Sequence, residues 1–562
     1  MYPAKGQPFG ATALEQGIVT PKFTESVRTY TYLAALFGLV LLCSCSTEKY
    51  KAEADQQAYG IIDRAWHEGF GQKANYRISD VNASPNDLTI EPNLAITGMI
   101  TLPHAVAVAT AQNREYQRQK EQLYLIALDL TGVEHDYAMQ WFGTVDFFYF
   151  KNRETEVSRR ETTEENLAQS NQLGFDQLLA DGTQVSVAIA LDWARFLTGD
   201  PRESLASVLT GTVTKPLMRG AGRKIALENL TQAQRDVLYQ IRSFNQYRRT
   251  FVVSIVNDYY RVLQRLDEVK NAQSNYDRRF QSKERLQMEA EAGRRNRFEV
   301  DQAVQDWLRA RDNLVRTQQQ YEQQLDEFKI TLALPTDANM YLDPNALQEL
   351  RNAQVARVPY TIAQAVDNAL LARLDLANSA DRVDDAERKV MIAADNLGAE
   401  LNLIASADVQ STGRNRTGRL PVHLGDYSLG LQGDLPLDRL LERNAYRESL
   451  IVLTQTERQY DLDRDSIALE VRGAYRQLDE AAERYAIQKN SLELAEKRVE
   501  STSMLIEEGR VSTRDLLEAQ DALLEAQNNV TAALVDHAVA KLNFYRDIGV
   551  LQVKPDGMWQ EN

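Results

Sequence analysis

The residue types that most often carry enzymatic chemistry are few and scattered in this sequence of 562 residues. The histidines are His67, His104, His135, His423 and His537. None stands at a metal-ligand spacing from another, and residues 219–223 are too short to form a glycine-rich phosphate loop. The sequence therefore predicts a protein that is not an enzyme and needs no metal or cofactor.

Both cysteines lie near the start of the chain, where they could accept a lipid. They belong to a segment that resembles the bacterial lipobox, Leu42-Cys43-Ser44-Cys45. The apolar run before it has signal-peptide length and is too short to span a membrane as a stable helix. We therefore expect residues 1–44 to be a lipoprotein signal peptide and Cys45 to be acylated. A plain signal peptide with two incidental cysteines is the alternative.

One pair of carboxylates stands at a spacing that could concentrate negative charge. Asp515 and Glu518 are three positions apart, so on a helix they share a face. Like charges clustered in this way attract cations. A simpler interpretation is that both carboxylates only favour the positive N-terminus of a helix.

These carboxylates lie in a stretch that the chain contains twice. Glu284 to Leu334 aligns without a gap on Glu500 to Val550, and ten of the 51 positions are identical. Gly293 and Gly509 coincide, and long runs without Gly or Pro surround each of them. Because glycine accepts the backbone angles that end a helix, each copy predicts a helical hairpin with its tip at the glycine.

The helix after each predicted tip has apolar residues at every seventh position. In the second copy most of this line is apolar, with His537 as the exception: Leu516, Leu523, Val530, His537 and Phe544. A sustained heptad pattern indicates helices that coil along partners. The pattern alone also fits an ordinary coiled coil.

Four segments change from helical periodicity to alternation of apolar and polar residues. They are residues 184–193, 205–215, 401–410 and 427–435. Such alternation over about ten residues is typical of transmembrane β-strands, although a half-buried soluble strand gives the same pattern. Four strands cannot close a barrel, and open edges cannot face lipid. We therefore expect other copies of the chain to complete the sheet.

With two hairpins and two pairs of strands in one order, the sequence resembles the TolC family of outer-membrane efflux proteins over about residues 100–552. The resemblance rests on the hairpin tips, the duplicated layout and two strand-to-helix junctions, Thr214-Lys215-Pro216-Leu217 and Asp434-Leu435-Pro436-Leu437. It implies an α+β membrane protein that forms a trimer. Each chain would give four strands to a transmembrane β-barrel and its long helices to a periplasmic α-barrel tunnel.

The expected segments follow from this layout. After the signal peptide come an acylated irregular extension (45–100), a first repeat (101–335) of helix, β-hairpin and long helical hairpin, a linker (336–358), a second repeat (359–552) and a tail (553–562).

The resemblance also implies a function and a location. The trimer would be a passive conduit for substrates expelled by an inner-membrane pump through a periplasmic adaptor. It would be lipid-anchored in the outer membrane and extend into the periplasm. The net charge of −16 argues against nucleic acid as a partner. Two other hypotheses are a periplasmic adaptor, which would have one hairpin rather than two, and a structural coiled-coil lipoprotein of the envelope.

Two sets of site residues follow from the resemblance. The hairpin tips would dock on the adaptor through Gly293, Arg294, Arg295, Gly509 and Arg510. The alternative is that these arginines only cap helix C-termini.

The second set is the periplasmic gate. Asp515 and Glu518 would each form a ring of three like charges at the narrow end of the tunnel. Glu299 would lie off the ring, as a latch partner between hairpins. Val511 departs from the family pattern, since some relatives have an arginine there that helps lock the closed state.

The lipobox generates a first testable prediction. Mass spectrometry of the mature protein should find a thioether lipid on Cys45 as the first residue. Cys45→Ser should impair sorting or assembly more than it releases finished trimers, because the barrel already holds the protein in the membrane. An unmodified mature N-terminus at another position would contradict this assignment.

Overall fold

The computed structural model describes ten stretches of the chain, namely residues 46–73, 76–78, 98–155, 161–196, 203–353, 358–411, 420–435, 437–508, 510–554 and 558–561. The predicted signal peptide, Cys45 and Gly509 lie outside these described residues. The chain separates into two compact units, residues 1–57 and residues 58–562.

Helices make up most of the described chain. They are α1 (Thr47–Ala65), α2 (Leu102–Gln112), α3 (Arg114–Asp136), α4 (Arg223–Ala226), α5 (Glu228–Glu291), α6 (Arg297–Thr331), α7 (Asn345–Asn352), α8 (Ile362–Ala372), α9 (Leu374–Asp395), α10 (Leu440–Glu507) and α11 (Thr513–Asp547). Short 3₁₀ turns occupy Glu68–Phe70 and Val422–Leu424. Among the described residues, no helix carries an apolar stretch long enough to cross a membrane.

The strands form one large sheet and two small ones. They are β1 (Met99–Ile100), β2 (Gln140–Thr155), β3 (Glu161–Leu178), β4 (Gln184–Phe196), β5 (Glu203–Pro216), β6 (Tyr341–Leu342), β7 (Glu400–Gln410), β8 (Asp426–Asp434), β9 (Leu551–Val553) and β10 (Trp559–Glu561). The large sheet has the order β2-β3-β4-β5-β7-β8, and every neighbouring pair in it is antiparallel. β1 pairs with β6, and β9 pairs with β10.

The large sheet contains two strands more than the four predicted. The four predicted strands are present as β4, β5, β7 and β8, and β2 and β3 add a hairpin before them. The prediction of four strands per chain is therefore wrong in number. The cause lies in the sequence pattern: aromatic residues occupy consecutive positions of β2 from Phe147 to Phe150, so apolar and polar residues do not alternate there.

The two faces of this sheet differ in chemistry. Residues paired across neighbouring strands point to the same side, and successive residues point to opposite sides. One face is mainly apolar across all six strands and includes Phe147, Leu173, Ile189, Leu209, Val409 and Leu429. The opposite face includes Asp146, Ser170, Asp192, Thr210, Ser406 and Ser428. Strands with one apolar and one polar face suit a wall between lipid and water.

The segment expected to be irregular, 45–100, contains a regular helix. α1 is 19 residues long, and Ala58, Ile61 and Ile62 lie buried on one side of it. These apolar residues recur at helical spacing, which binds the C-terminal part of α1 to the core of the larger unit. The polar and proline-containing residues farther along the segment had obscured this short pattern.

Both predicted helical hairpins are present. α5 has 64 residues and packs along α6, while α10 has 68 residues and packs along α11. At about 1.5 Å per residue, each longer arm spans on the order of 100 Å. The two halves show the same order of elements, since a helix pair, strands and a long hairpin follow one another twice.

The duplicated stretch ends at two equivalent aromatic anchors. Phe328 and Phe544 are almost completely buried, and they pack against Tyr259 and Tyr475 with ring centroids 6.2 and 5.9 Å apart. Most of the heptad line predicted for α11 is also buried, since Leu516, Leu523, His537 and Phe544 lie in the interior. Burial and the neighbouring Lys541 lower the pKa of His537, which favours its neutral form. His537 is thus a packed residue of the helix seam.

Each anchor is followed by a turn in the left-handed region, but the two turns use different residues. Ala333 has φ +58° and Gly549, its counterpart in the second copy, has φ +79°. In the first turn the Leu334 N–H donates to the Lys329 carbonyl at 2.8 Å. The left-handed region costs an L-residue roughly 1–2 kcal/mol, whereas glycine adopts it freely.

This difference predicts opposite effects of two reciprocal substitutions. Ala333→Gly should raise the thermal midpoint of the helical signal, with a gain of about 1 kcal/mol in stability because the backbone strain is relieved. Gly549→Ala should lower the midpoint, because a Cβ there would lie 2.9 Å from the Cβ of Ala372. Circular dichroism of the purified variants measures both effects. A lower midpoint for Ala333→Gly would contradict the strain argument.

Candidate functional site at the helical hairpin tips

The first hairpin tip is closed by a glycine turn of the kind that ends helices. Gly293 has φ +70°, and its N–H donates to the Ala290 carbonyl at 3.0 Å. The N–H of Arg294 reaches back to the Glu289 carbonyl at 2.9 Å. These two bonds form a Schellman motif, which needs a residue that tolerates a positive φ. The prediction of a helical tip at Gly293 is therefore confirmed.

The two predicted docking arginines of this tip have different surroundings. Arg295 is half-buried and lies between two carboxylates, at 3.1 Å from Glu289 and 3.3 Å from Glu299. The side chain of Arg294 is exposed. Arg295 therefore shapes the tip from within, whereas Arg294 faces outward.

The second tip repeats part of this arrangement. The N–H of Arg510 donates to the Leu505 carbonyl at 3.0 Å, which is the long bond of the same motif. The Arg510 guanidinium is exposed and lies 3.1 Å from the carboxylate of Glu508. An exposed ion pair of this kind contributes little stability and leaves the arginine available to another partner.

Asp515 takes part in a reciprocal cap at the start of α11. Its carboxylate accepts from the Ser512 N–H at 2.9 Å and from the Ser512 hydroxyl at 2.6 Å. In return the Asp515 N–H donates to the Ser512 Oγ at 3.3 Å. This capping box satisfies backbone donors that the first turn of a helix leaves unpaired. The simpler interpretation of Asp515, a role at the helix N-terminus, thus describes a real contact.

The cap also lowers the pKa of Asp515. Hydrogen bonds from Ser512 lower the pKa of this carboxyl below its usual value of 3.8, with smaller contributions from Arg498 and Arg514. A lowered pKa means that the ionised form stabilises the fold above the usual value, and that this stability is lost as the pH falls through the lowered pKa. At neutral pH Asp515 is therefore negatively charged and fully exposed.

Glu518 has a different partner. It accepts a hydrogen bond from Arg498 of the incoming arm α10 at 2.9 Å, and both side chains are at least half exposed. The two predicted gate carboxylates thus make separate contacts within one chain.

A contact between the two hairpins lies close to both tips. Glu299 accepts a hydrogen bond from the Thr513 hydroxyl at 2.9 Å, in addition to its ion pair with Arg295. Thr513 is the first residue of α11 and is buried. Glu299 therefore joins the first hairpin to the second within one chain.

Polar contacts that the sequence did not reveal continue this link along α5 and α11. Arg279 is 2 % exposed and donates to the Leu517 carbonyl at 2.7 Å and to Asp521 at 2.6 Å. Farther along the same pair of helices, Asn271 donates to Asn528, Thr531 to Asp267, and Arg261 to Asp536. We call these five hydrogen bonds the inter-hairpin ladder. Residue numbers along the ladder fall on α5 and rise on α11, as they must for two antiparallel helices. The sequence alone does not show which of these residues are partners.

The ladder shows how tightly the hairpins of one chain are held. A buried arginine keeps its charge at high cost unless it is paired, so removal of one partner is strongly destabilising. Any movement that separates α5 from α11 must break these contacts. No group of three or more His, Cys, Asp or Glu within the described residues is placed to hold a metal.

Part of the chain matches a known protein family. Residues 365–549 match the family model described as outer membrane efflux protein. No curated protein sequence matches the chain.

Several solved structures share the fold. CusC, described as forming a transmembrane channel, has 12 % identity and a TM-score of 0.58, with 80 % of this chain and 92 % of that chain covered. The Campylobacter jejuni CmeC outer membrane channel has 13 % identity and a TM-score of 0.57, with 82 % of this chain and 87 % of that chain covered. The outer membrane protein VceC of Vibrio cholerae has 13 % identity and a TM-score of 0.56, with 80 % of this chain and 96 % of that chain covered.

The family model covers residues 365–549, and the fold shared with CusC extends over 80 % of this chain. Members of this family are efflux channels, in agreement with the prediction that the chain is not an enzyme. The chain therefore resembles the outer membrane efflux proteins, because residues 365–549 match their family model and most of the chain shares the fold of solved outer-membrane channels.

Proposed function

We propose that this chain forms the passive, trimeric outer-membrane conduit of a tripartite efflux or secretion system. An inner-membrane pump would expel the substrate, and a periplasmic adaptor would connect the pump to the conduit. The conduit would be held in the outer membrane by its sheet and by lipid on Cys45, and its helices would extend into the periplasm. We also infer that residues 101–335 and 359–552 are two structural repeats.

The observation that carries this proposal is the two-faced sheet. Large apolar side chains on one face are mostly exposed in the single chain, including Trp141, Phe147, Leu173, Leu429 and Leu431. A soluble protein rarely exposes a continuous apolar surface of this extent. Lipid is the surrounding that such a face suits, and the polar face then lines water.

Polar residues also occur on the apolar face, and two of them are paired with each other. Gln169 and Asn171 of β3 lie on it, and the Gln169 amide donates to the Asn171 side-chain oxygen at 3.1 Å. A polar group that faces lipid costs much less when it is hydrogen-bonded. On the opposite face Ser406 and Ser428 lie 2.7 Å apart, where water can also reach them.

The tip geometry supports a gate at the periplasmic end. Three copies of Asp515 and of Glu518 would place six carboxylates around the axis of a trimer. Both side chains are exposed, and the lowered pKa of Asp515 favours its ionised form. We propose that this negative ring attracts cations and sets the selectivity of the closed conduit.

The outward arginines support docking of the adaptor at the same end. Arg294 and Arg510 are exposed at the two tips, which also contain Gly293 and Gly509. Arginine pairs well with carboxylates and carbonyl groups on a partner. We propose that Arg294 and Arg510 contact the adaptor, and that Arg295 contributes by holding the tip in shape.

The alternative functions do not account for the sheet. A periplasmic adaptor or a coiled-coil scaffold would also have long helices and a lipid anchor. Neither would need six strands with one apolar and one polar face. The six-stranded sheet therefore favours a channel over both alternatives.

The gate proposal predicts that the charge of Asp515 and Glu518 affects ion selectivity. This effect can be separated from the role of Asp515 in the helix cap. In planar bilayers the wild type should be cation-selective and blocked by multivalent cations from the periplasmic side. Asp515→Asn/Glu518→Gln should reduce both properties, because the ring loses its charge while an acceptor for Ser512 remains. Asp515→Ala/Glu518→Ala should reduce them as well and should also increase amide hydrogen exchange in the first turn of α11, since the cap is lost.

The Asn/Gln variant is the decisive member of this set. If its selectivity and cation block equal those of the wild type, Asp515 and Glu518 do not form the gate. A change that occurs only in the Ala variant would instead assign Asp515 to helix capping alone.

The docking proposal predicts loss of the adaptor without loss of the trimer. Arg294→Glu/Arg510→Glu should abolish crosslinking to the adaptor in whole cells, because both outward cations become anions. Arg316→Glu is the matched control, since Arg316 is an equally exposed arginine in the middle of α6. Unchanged crosslinking and export in the double variant would refute a docking role for these arginines.

A further inference from the structure

The two edges of the large sheet are open. In the described part of the chain, no strand pairs with the outer edge of β2 or of β8. Each edge presents a row of backbone N–H and C=O groups, and lipid offers these groups no hydrogen-bond partner. An unpaired edge within a membrane therefore has to be covered by another strand.

The hairpin formed by β2 and β3 is part of the same wall as the other four strands. β3 pairs with β4 over 13 residues, from Asn166↔Phe196 to Leu178↔Gln184. The apolar face also continues across this boundary, because Trp141 pairs with Phe175, and Phe175 pairs with Val187. The hairpin is therefore not a separate flap beside a four-stranded sheet.

The polar face of the hairpin is packed as well. The ring of Phe142 lies over Gly174 of β3, where an added Cβ would be only 2.6 Å from the ring. Phe148 and Phe150 stack on the same side of β2 with centroids 5.8 Å apart. The contact of Phe142 with Gly174 joins β2 to β3 through side-chain packing, in addition to their backbone ladder.

The directions of the two edge strands allow them to pair with each other between copies. All five neighbouring pairs in the sheet are antiparallel, so β2 and β8 run in opposite directions. The β8 edge of one copy can therefore add an antiparallel ladder to the β2 edge of the next copy. Repeated around a ring, this pairing leaves no open edge.

We propose that β2 of one copy pairs with β8 of the next, and that three copies close a barrel of eighteen strands. The proposal rests on the trimeric conduit proposed above and specifies its membrane-spanning wall. A trimer in which each copy supplied only four strands would have twelve. Because barrel diameter grows roughly linearly with strand number, the eighteen-stranded wall would be about one and a half times as wide.

The twelve-stranded arrangement is the competing outcome. It would require β8 of one copy to pair with β4 of the next, at the edge that β3 occupies. The β3–β4 ladder would have to be broken along its whole length, and the hairpin would have to leave the wall. The two arrangements therefore bring different strands next to β8.

Disulfide trapping between copies tests the proposal. Leu429→Cys on β8 is combined with one second substitution on the apolar face of β2, at Trp141, Val145, Phe147 or Tyr149. A disulfide needs Cα atoms about 4.4–6.8 Å apart, so only adjacent strands can react. The four positions scan the register between copies. Oxidation in native membranes should give inter-chain disulfides for at least one pair, seen as cross-linked oligomers on non-reducing gels.

The matched control uses the same face of β4. Leu429→Cys is combined with Val187→Cys, Ile189→Cys or Leu191→Cys, and these pairs should cross-link at least tenfold less than the best β2 pair. Each single-cysteine variant gives the background that Cys43 and Cys45 contribute.

The outcomes separate this proposal from the proposed function. A conducting oligomer that cross-links through β4, or an intact oligomer that cross-links with none of the β2 positions, would overturn the eighteen-stranded barrel and leave the conduit in place. A protein that neither assembles in membranes nor conducts would overturn the proposed function, and the barrel with it.

Discussion

A sheet within a membrane must satisfy all its backbone hydrogen bonds internally, and the other features of this protein depend on that requirement. The six strands satisfy it everywhere except at β2 and β8, which are the two edges. A single chain is therefore incomplete in lipid. The need to pair these edges between copies explains why the sheet has an even number of antiparallel strands.

The same incompleteness extends to the helices. The long arms pack in pairs within one chain, and polar contacts such as Arg279–Asp521 and Arg261–Asp536 tie the first hairpin to the second. Other apolar residues of α10, such as Leu462, Leu469 and Leu494, are exposed in the single chain, and the proposed trimer would cover such helix faces. The tips lie at the far end of these arms, where the Glu299–Thr513 bond joins the two hairpins. Sheet and tips are thus linked through helices that are held in register by buried polar pairs.

Much of this architecture could be predicted from the sequence, because its signals are periodic. Both helical hairpins follow from runs without Gly or Pro around a glycine, and four strands follow from alternation of apolar and polar residues. The alternation is absent from β2, because Phe148 and Phe150 lie on its otherwise polar face, where they stack on each other. The ladder between the hairpins was also missed, because residues such as Asp267 and Thr531 are distant in sequence and meet only in the folded chain.

The sequence of the second tip also contains the pattern of a helix cap. Ser512 and Asp515 have the spacing of a capping box, which ties the carboxylate to the start of α11 before any role in a gate. Two roles for one residue are compatible, because the cap lowers the pKa of Asp515 and so preserves the charge that a gate would need.

The most direct test of the account is whether adjacent residues of one strand face different solvents. Single cysteines at Ser428 and Leu429 of β8, and at Asp146 and Phe147 of β2, would be labelled in native membranes with a charged, water-soluble thiol reagent and with a reagent dissolved in the bilayer. The account predicts that cysteines at Ser428 and Asp146 react with the charged reagent, and that those at Leu429 and Phe147 react only from the bilayer. Equal reaction of neighbouring positions with the charged reagent would contradict the assignment of this sheet as a wall between lipid and water.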